Sequence, residues 1–360
     1  MKKMNRFLRH KIFLIALSSL LLFAGLLLLW FLFIPPSQTL STKVITIKRG
    51  MPLGRISMML EKEGVLRNRI LFVAMATLLG KKGEIKAGEY EFHTRMLPLE
   101  VLHHLVKGQV KRHLVTIPEG YTLSQIARLL EDLGIVEKEA FLQKTASPAY
   151  IASLGFSHLV RDEGSDSSRS RTVLTLEGYL FPETYHFIKE MNPEEVIRTM
   201  VHQFHKVFGP DLIERAPQLG ITQKEAIILA SIIEKETSLS EEKPLISAVF
   251  HNRLKKKIPL QSDPTVIYGI QNFDGNLTKE HLLRPTPYNT YLFTGLPPTP
   301  ICNPGKESLL AALHPASVPY LYFVSKNDGS HHFSTEIEEH NQAVWKYQKN
   351  SLRKNYLDKK

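Results

Sequence analysis

Cysteine is almost absent from this chain of 360 residues, because Cys302 is the only one. A lone thiol cannot form an intrachain disulfide, so the fold has to be held together by its hydrophobic cores. Hydrophobic residues make up 43% of the sequence. At the usual size of a domain, this is enough for two or three core-bearing units.

Several common functional signatures are also missing. The sequence has no G-x-S-x-G elbow, no P-loop and no Rossmann glycine pattern, so it does not belong to the enzyme classes that these motifs define. The formal net charge is +11, yet no RRM, zinc-finger or basic-helix pattern accompanies it. We therefore expect no nucleic acid partner, and we interpret the positive charge as suited to an anionic wall or lipid surface.

Histidines cluster near the C-terminus in the stretch GSHHFSTEIEEHN, which contains His331, His332 and His340. Zinc sites have ligands at characteristic spacings, and two adjacent histidines followed eight residues later by a third do not match them. We therefore predict that the protein uses neither a metal nor another cofactor.

A long apolar segment near the N-terminus contains no charged residue. Residues 12–34 carry no charge and exceed the roughly 20 residues that a helix needs to cross a bilayer. Five basic residues crowd segment 1–11, so the positive-inside rule predicts a cytoplasmic N-terminus. A cleaved signal peptide fits less well, because the run is longer than the usual h-region of about 7–15 residues and no A-x-A-like site follows. The sequence predicts a single-pass anchor with all later domains outside the cytoplasm.

Two short strand–helix–helix patterns follow and together span residues 43–145. In the first, alternating Val44, Ile45 and Ile47 indicate a strand, and helical spacing continues from Leu53. The second begins at HLVTIPEGYT and has the same order, which indicates an approximate internal repeat. Such units resemble LysM-like modules, which bind glycans containing N-acetylglucosamine. A generic small α+β domain without a ligand is the alternative.

The chain changes character after this region. Residues 146–175 are predicted to be a variable linker, because the segment 161–171 within them is polar, charged and rich in serine. Residues 176–350 alternate helical patterns with segments punctuated by proline and glycine, which predicts a second, larger domain. The predicted fold class is α+β, with a transmembrane helix, LysM-like modules and a larger mixed α/β domain.

A helix with two glutamates near its end lies in this second domain, in the stretch GITQKEAIILASIIEKETS. Thr222 and Glu225 have the spacing of a capping box, which predicts a helix that begins at about Gln223. On a helical projection, Glu236 falls with apolar residues and Glu234 falls on a more polar side. A carboxyl group against apolar side chains has a raised pKa, as a general acid requires. Glu236 is therefore the candidate acid and Glu234 its polar support, unless both are ordinary solvated residues.

Three loop-rich segments follow this helix and carry hydrogen-bonding groups together with flat apolar faces. They are LQSDPTVIYG (260–269), PTPYNTYLFTGLPPTPICNPG (285–305) and AALHPASVPYLYFV (311–324). Functional clefts are often built from such loops on a rigid scaffold, and sugars need both kinds of contact. The candidate sugar-binding side chains are Gln261, Asp263, Tyr268, Tyr288, Asn289 and Tyr291.

Most of these side chains also have a purely structural interpretation. Asp263 precedes a proline and can initiate a turn, and Asn289 can form an Asx turn. Tyr268 and Tyr291 can be half-buried core residues. The residues alone leave these alternatives open.

The order and spacing of several motifs resemble a known family, the YceG-like family of endolytic murein transglycosylases. The motifs are KAGEYEF, PEGYT, EGYLFPETY, ASIIEKET, FHNRL, LQSDPTVIYG, PYNTY with TGLPP and PICNPG, HPA with YLYFV, and HxFS with EHN. The resemblance covers about residues 44–347. It implies an enzyme anchored in the inner membrane, with its LysM-like and catalytic domains in the periplasm and with peptidoglycan synthases as candidate partners.

The resemblance also implies a reaction and a site. The family cuts nascent peptidoglycan strands between N-acetylmuramic acid and N-acetylglucosamine and leaves a 1,6-anhydro-muramyl end. Its catalytic glutamate matches Glu236, and the substrate-binding candidates are Glu234, Gln261, Asp263, Tyr268, Asn289 and Tyr291. Two alternatives remain: a non-catalytic peptidoglycan-binding scaffold, and a hydrolytic muramidase with Asp263 as the second carboxylate.

Overall fold

A computed structural model describes residues 2–157, 159 and 174–349 of the chain. The described chain divides into two compact units. The first comprises the residues up to His113 together with the return segment His186–Glu190, and the second comprises the rest. The serine-rich segment 161–171 that the sequence predicts as a surface loop lies outside the described residues.

The first unit begins with helix α1 (Lys2–Phe33). Its part Leu8–Phe33 has a mean hydropathy of 2.8 and is the one helix in the described residues long and apolar enough to cross a membrane. Near the end of α1, Phe31 is only 1% exposed and belongs to the hydrophobic core of this unit. The guanidinium of Arg67 lies 4.6 Å from the ring centre of Trp30 and donates a hydrogen bond to the carbonyl of Pro35. The apolar helix is therefore tied to the unit that follows it.

The body of the first unit is a two-stranded antiparallel sheet packed against three helices. Strands β1 (Thr42–Ile47) and β2 (Gly88–His93) pair with Ile45 opposite Tyr90, and alternate residues of both strands point into the core. The helices are α2 (Leu53–Lys62), α3 (Arg69–Leu78) and α4 (Pro98–Lys107). The predicted strand–helix–helix order of this region is confirmed.

The second unit opens with the repeated pattern, also as predicted. Its elements are β3 (His113–Thr116), which belongs to this unit from Leu114 on, α5 (Leu123–Asp132), α6 (Lys138–Thr145) and α7 (Pro148–Ile151). One π-helical turn then runs over Ala152–Phe156. Strand β3 pairs with β4 (Thr184–Phe187). Helix α5 begins where a capping box of Thr122 and Gln125 predicts a helix start.

The larger part of the second unit is mainly helical. Its helices are α8 (Pro193–Val207), α9 (Pro210–Gln218), α10 (Gln223–Glu236), α11 (Lys243–Lys255), α12 (Asp263–Tyr268), α13 (Lys279–Leu283), α14 (Lys306–Leu313) and α15 (Ile337–Val344). Between α14 and α15, strands β5 (Tyr322–Ser325) and β6 (His331–Ser334) form an antiparallel hairpin. A π-helical turn, Trp345–Lys349, follows α15.

Helix α10 is the centre of this core. It begins at Gln223, as predicted, because the hydroxyl of Thr222 accepts from the amide of Glu225 and the carboxylate of Glu225 accepts from the amide of Thr222. Every residue from Ala226 to Ile233 is buried. A helix that is apolar on all sides belongs inside a core, and the rigid end of α10 therefore fixes the position of Glu236.

Candidate active site

Glu236 lines a cavity of about 440 Å³ in the second unit. Its lining includes Arg253 of α11, the turn residue Gln261, Asp263 at the start of α12, and Tyr291. The β5–β6 hairpin and α15 contribute Phe323, His331 and His340. The cavity therefore brings together Glu236 and three of the predicted sugar-binding residues.

The carboxyl group of Glu236 has an unusual titration. Its burial raises the pKa to about 7, and the negative charge of Asp263 adds to this effect. Two contacts act in the opposite direction, since the Ser262 hydroxyl donates to Oε1 of Glu236 at 2.5 Å and the positive charge of Arg253 is close. With its pKa raised to near neutrality, Glu236 can keep the proton that a general acid donates, and it becomes the base once that proton is given.

Arg253 shapes the turn that carries the next site residues. Its Nε donates to the carbonyl of Leu321 at 2.7 Å, and its Nη1 donates to the carbonyls of Pro259 and Leu260 and to Oε1 of Gln261. Gln261 has a φ of 51°, a backbone conformation that non-glycine residues seldom adopt. The buried guanidinium therefore holds a strained turn at the edge of the cavity.

Asp263 and Tyr291 form a hydrogen-bonded pair inside the cavity. The phenol of Tyr291 donates to Oδ1 of Asp263 at 2.6 Å. Among the described residues, no side chain or backbone amide donates to Oδ2 of Asp263. The phenol of Tyr291 thus fixes one carboxylate oxygen of Asp263, a residue of the cavity lining.

Glu234 lies outside the cavity lining and contacts other parts of the core. Its Oε2 accepts from Lys243 at 3.3 Å, from the amide of Gly305 at 3.1 Å and from the hydroxyl of Ser308 at 2.6 Å. The side chains of Glu234 and Lys243 are 9% and 4% exposed. Glu234 therefore joins the end of α10, which carries Glu236, to α11 and α14.

Tyr268 and Asn289 also lie outside the cavity lining. The phenol of Tyr268 donates to Glu177 at 3.1 Å, and its ring packs edge-on against Tyr288. Asn289 is 1% exposed. Its side-chain amide donates to the carbonyls of Leu282 and Arg284 at the end of α13. Its Oδ1 accepts from the backbone amide of Tyr291, which is the Asx-type contact that the sequence allowed as a purely structural role. Both residues position the loops around the cavity.

The model of the YceG-like family matches residues 45–346 of this sequence. The chain belongs to the YceG-like family. A Bacillus subtilis (strain 168) protein named endolytic murein transglycosylase is 33% identical over 311 residues, which are 85% of this chain and 85% of the relative. A Streptococcus pneumoniae (serotype 2, strain D39) protein of the same name is 29% identical over 330 residues, 86% of this chain. This chain covers 59% of the length of that pneumococcal relative.

A solved structure supports the fold of this YceG-like chain. The crystal structure of a YceG-like protein from Listeria monocytogenes, at 2.6 Å, superposes with a TM-score of 0.58. Its sequence is 31% identical, and the match covers 85% of this chain and 100% of the solved chain. The mixed α/β architecture described above is thus similar to that of a family member.

The sequence reasoning missed Glu177, which belongs to the family-like motif EGYLFPETY but was given no role. Glu177 is 3% exposed and accepts hydrogen bonds from the amide of Leu123, from the side chain of Asn303 and from Tyr268. Its burial raises its pKa to about 8. Glu177 is therefore an internal tie between the start of α5, the loop before α14 and the end of α12.

It also missed the position of the C-terminal histidines, which it considered only as metal ligands. Nδ1 of His331 lies 2.6 Å from Oε2 of Glu242, and the backbone amide of His331 donates to Oε1 of the same residue. His331 and His340 both line the cavity. In the described part of the chain, no group of three His, Cys, Asp or Glu side chains is arranged to hold a metal ion.

Proposed function

We propose that this YceG-like chain cuts the β-1,4 bond between N-acetylmuramic acid and N-acetylglucosamine in nascent peptidoglycan and leaves a 1,6-anhydro-muramyl end. The names of its relatives support the general activity, and the chain is accordingly an enzyme, a lytic transglycosylase of the lyase class. The observation that carries the finer proposal is Glu236, a carboxyl group with a pKa of about 7 in a cavity large enough for part of a glycan.

Glu236 serves in both halves of the reaction. In its protonated form it donates to the glycosidic oxygen as the bond to C1 of the muramyl residue breaks. As a carboxylate it then takes the proton of the muramyl C6 hydroxyl, whose oxygen bonds to C1 and closes the anhydro ring. The proton count balances and no water is consumed, so one acid–base residue is sufficient.

The other predicted residues fall into two roles in this proposal. Gln261, Asp263 and Tyr291 lie in the cavity lining and contact the sugar. Glu234, Tyr268 and Asn289 act from outside the lining, through the hydrogen bonds that hold the end of α10 and the surrounding loops.

The proposed setting is the outer face of the inner membrane. Helix α1 anchors the chain with a cytoplasmic N-terminus, and the LysM-like region 43–145, the linker 146–175 and the catalytic domain 176–350 lie in the periplasm. The substrate is a peptidoglycan strand, which the LysM-like region helps to hold, and peptidoglycan synthases are the candidate partners. A reporter fused after Lys360 should be accessible from outside the inner membrane, and a reporter found in the cytoplasm would contradict this setting.

A hydrolytic muramidase is the second candidate, because Asp263 supplies a further carboxylate in the same cavity. In a hydrolase, that carboxylate would activate a water molecule or attack the sugar. The two reactions differ in their products, since hydrolysis leaves a reducing end and transglycosylation leaves an anhydro end.

Mass spectrometry of purified glycan strands after digestion tests the proposal. We expect anhydro ends from the wild-type enzyme and a loss of about 10²–10⁴-fold in their rate of formation for Glu236→Gln, which keeps the shape but cannot deliver a proton. Glu234→Gln should lose less activity. The exposed Glu241→Gln is the matched control and should cut at the wild-type rate. Reducing ends would identify a muramidase, and uncut strands would identify a scaffold.

A further inference from the structure

We propose that the first unit rests on the outer surface of the bilayer, where Arg67, Arg69 and Arg95 bind the anionic headgroups of the lipids. The inference rests on the proposed membrane anchor and is independent of the proposed reaction. It is carried by the contacts at the end of α1, where two loops of this unit are bonded to the chain as it leaves the apolar helix.

The positive charge of the chain is concentrated in its first third. Residues 1–34 carry five Lys and Arg and no acidic residue, and residues 35–113 carry 14 Lys and Arg against six Glu. The remaining residues, 114–360, carry 27 basic and 29 acidic side chains. The net charge of +11 therefore comes from the cytoplasmic end of α1 and from the first unit. A basic surface next to a membrane attracts anionic lipids.

The core of the first unit extends to the last turn of the apolar helix. Phe31 belongs to that core, although it lies inside the apolar segment Leu8–Phe33. About 20 helical residues cross the hydrocarbon layer, and the 20 residues that begin at Ile12, just after the last basic residue of the N-terminus, end at Phe31. With α1 in the bilayer, the core of the first unit therefore begins at the edge of the hydrocarbon layer.

The first of the two loops precedes α3. Arg67 donates from Nε and Nη2 to the carbonyl of Pro35 at 3.2 and 2.7 Å, and its guanidinium lies 4.6 Å from the ring centre of Trp30. Pro35 is two residues beyond the end of α1, so it lies at most about 7 Å further along the chain. The headgroup layer on each face of a bilayer is roughly 5–7 Å thick. The guanidinium of Arg67 is therefore held at the depth of the lipid phosphates.

The second loop connects β2 to α4 and is bonded to the same segment. The backbone amide of Ser37 donates to the carbonyl of Thr94 at 3.2 Å, and Nε of Arg95 donates to the carbonyl of Gln38 at 2.7 Å. Both loops thus border the chain where it leaves the helix, and each of them holds that chain with an arginine.

The two loops also expose side chains that suit the boundary between headgroups and acyl chains. The side chain of Arg69 is 49% exposed, and its ion pair with Glu61 is 3.8 Å long. Ile70, which follows Arg69, is 70% exposed, and Leu99, four residues after Arg95, is 55% exposed. A surface that lies in a membrane interface combines such groups, because guanidinium groups bind phosphate and apolar groups enter the acyl boundary.

The position of these side chains favours a lipid over a wall polymer as the ligand. The loops flank the chain at the point where it leaves the bilayer, and the contacts of Arg67 with Trp30 and Pro35 fix its guanidinium there. Lipid phosphates surround α1 at this depth on every side, whereas a wall polymer would have to pass between the unit and the membrane.

Fluorescence quenching in the full-length chain tests where the two loops lie. Ile70→Cys, Leu99→Cys and Lys48→Cys each provide one site for a fluorophore, and the wild type is the labelling blank because Cys302 is buried. Lys48 follows β1, whose six residues carry the chain roughly 17 Å away from the second loop. In nanodiscs that contain spin-labelled lipids, we expect the labels at positions 70 and 99 to be quenched and the label at position 48 to stay bright.

The class of lipid is tested with phosphatidylglycerol and phosphatidylcholine that carry the same quencher. We expect phosphatidylglycerol to quench the label at position 70 at lower content, with a preference that falls as salt is added. Arg69→Gln combined with Arg95→Gln should lower this preference about five-fold for each arginine removed, whereas lysine at both positions should keep it. Lys48→Gln combined with Arg49→Gln is the matched control, because it removes the same charge beyond the far end of β1.

The outcomes separate this inference from the proposed anchor. The inference is wrong if the labels at positions 70 and 99 are as bright as the label at position 48, if both lipids quench equally, or if the two glutamine pairs behave alike. Shielding of these labels only after purified peptidoglycan strands are added would show that the basic surface binds the wall instead. A label at Leu21→Cys, in the middle of α1, that no lipid quenches would mean that the proposed anchor itself fails.

Discussion

Ser262 offers the most direct control over the titration of Glu236. Its hydroxyl donates to the Glu236 carboxylate at 2.5 Å, and this contact holds the pKa below the value that burial alone would give. In the proposed reaction Glu236 starts protonated, so kcat/KM should fall as the pH rises through about 7. The position of that fall reports the pKa of the free enzyme.

We predict that Ser262→Ala shifts the alkaline fall of kcat/KM to higher pH. A hydrogen bond to a charged group contributes roughly 1.5 kcal/mol, which corresponds to about one pH unit. The measurement is the rate of anhydro-end formation between pH 5 and 9. Ser238→Ala, which changes an exposed serine just beyond α10, should leave the profile in place. A shift of Ser262→Ala to lower pH would contradict the assigned contact.

Glu177 should make the stability of the second unit depend on pH. Its pKa rises from an ordinary 4.5 to about 8 in the folded protein, so the folded state binds one more proton than the unfolded state between these values. The free energy of unfolding then falls by about 1.4 kcal/mol per pH unit across that window. This loss of unfolding free energy is absent below pH 4.5, where Glu177 is protonated in both the folded and the unfolded state. It reaches its full size above pH 8, where Glu177 is ionised in both states.

Glu177→Gln should remove this cost, because glutamine can still accept from Leu123 and Asn303 but does not ionise. We predict that its free energy of unfolding exceeds that of wild type by a margin that grows between pH 5 and 8. Urea denaturation at several pH values, followed by circular dichroism, measures the margin. The matched control is Glu183→Gln, an exposed position of the same motif. A margin independent of pH would show that Glu177 is not the titrating group.

At the scale of elements, the buried pair of Glu234 and Lys243 joins three helices. Glu234 ends α10, Lys243 begins α11, and the hydroxyl that also contacts Glu234 comes from Ser308 of α14. Glu119 is also near this pair. Burial raises the pKa of Glu119, the negative charge of Glu234 raises it further, and the positive charge of Lys243 lowers it. The positive charge of Lys243 therefore stabilises the ionised forms of both Glu234 and Glu119.

We predict that Lys243→Met destabilises the second unit by about 3–5 kcal/mol, because it leaves a buried carboxylate without its partner. Glu234→Gln combined with Lys243→Met should recover part of this loss, since no buried charge then remains on either side of the pair. The denaturant midpoints of the wild type, the two single variants and the double variant form the thermodynamic cycle. Strictly additive losses would mean that the pair is not coupled.

The elements that the sequence predicted well are those set by local signals. The alternation of β1 and the capping box of α10 gave their positions within a residue or two. The helical projection that singled out Glu236 had a weaker basis, because Ala226–Ile233 are buried on every side and the helix has no polar face. What distinguishes Glu236 from Glu234 is its surroundings, namely α11, the 261–263 turn and the β5–β6 hairpin.

Several of the contacts that sequence reasoning missed join residues far apart in the chain. Glu177 meets Asn303 across 126 positions, and Arg253 meets Leu321 across 68. No local pattern encodes such a pair, because each partner alone is compatible with many folds. The same holds for His331, whose role as a cavity residue follows from Glu242 on another element.

At the scale of the molecule, the first unit is built from two separate parts of the chain. The segment 186–190 returns to it, and Lys189 contacts the buried carboxylate of Glu89 at 3.0 Å. The boundary between the two units falls after His113, within the region 43–145 that the sequence predicts to be LysM-like. A continuous strand–helix–helix repeat in the sequence cannot reveal such a return, since the repeat is local and the return is not.

The end of the apolar helix α1 is a further part of the first unit. Phe31 is 1% exposed among Ile45, Leu53 and the other residues of this core, whereas Phe33, two positions later, is 68% exposed. A fragment that begins at Ser41 would lack Phe31 and the Arg67 contacts with Trp30 and Pro35. Removal of residues 1–40 should therefore weaken the first unit, in addition to the loss of the proposed membrane anchor.

We predict that Phe31→Ala in the full-length chain destabilises the first unit by about 3–5 kcal/mol, the usual result of truncating a buried phenylalanine. Phe33→Ala removes the same ring from an exposed position of the same helix and should change stability little. Hydrogen exchange of the β2 amides in detergent micelles measures the local free energy of opening. The cavity lies wholly in the second unit, so both variants should form anhydro ends from purified strands at the wild-type rate. Equal exchange in the two variants would mean that α1 is only a tether.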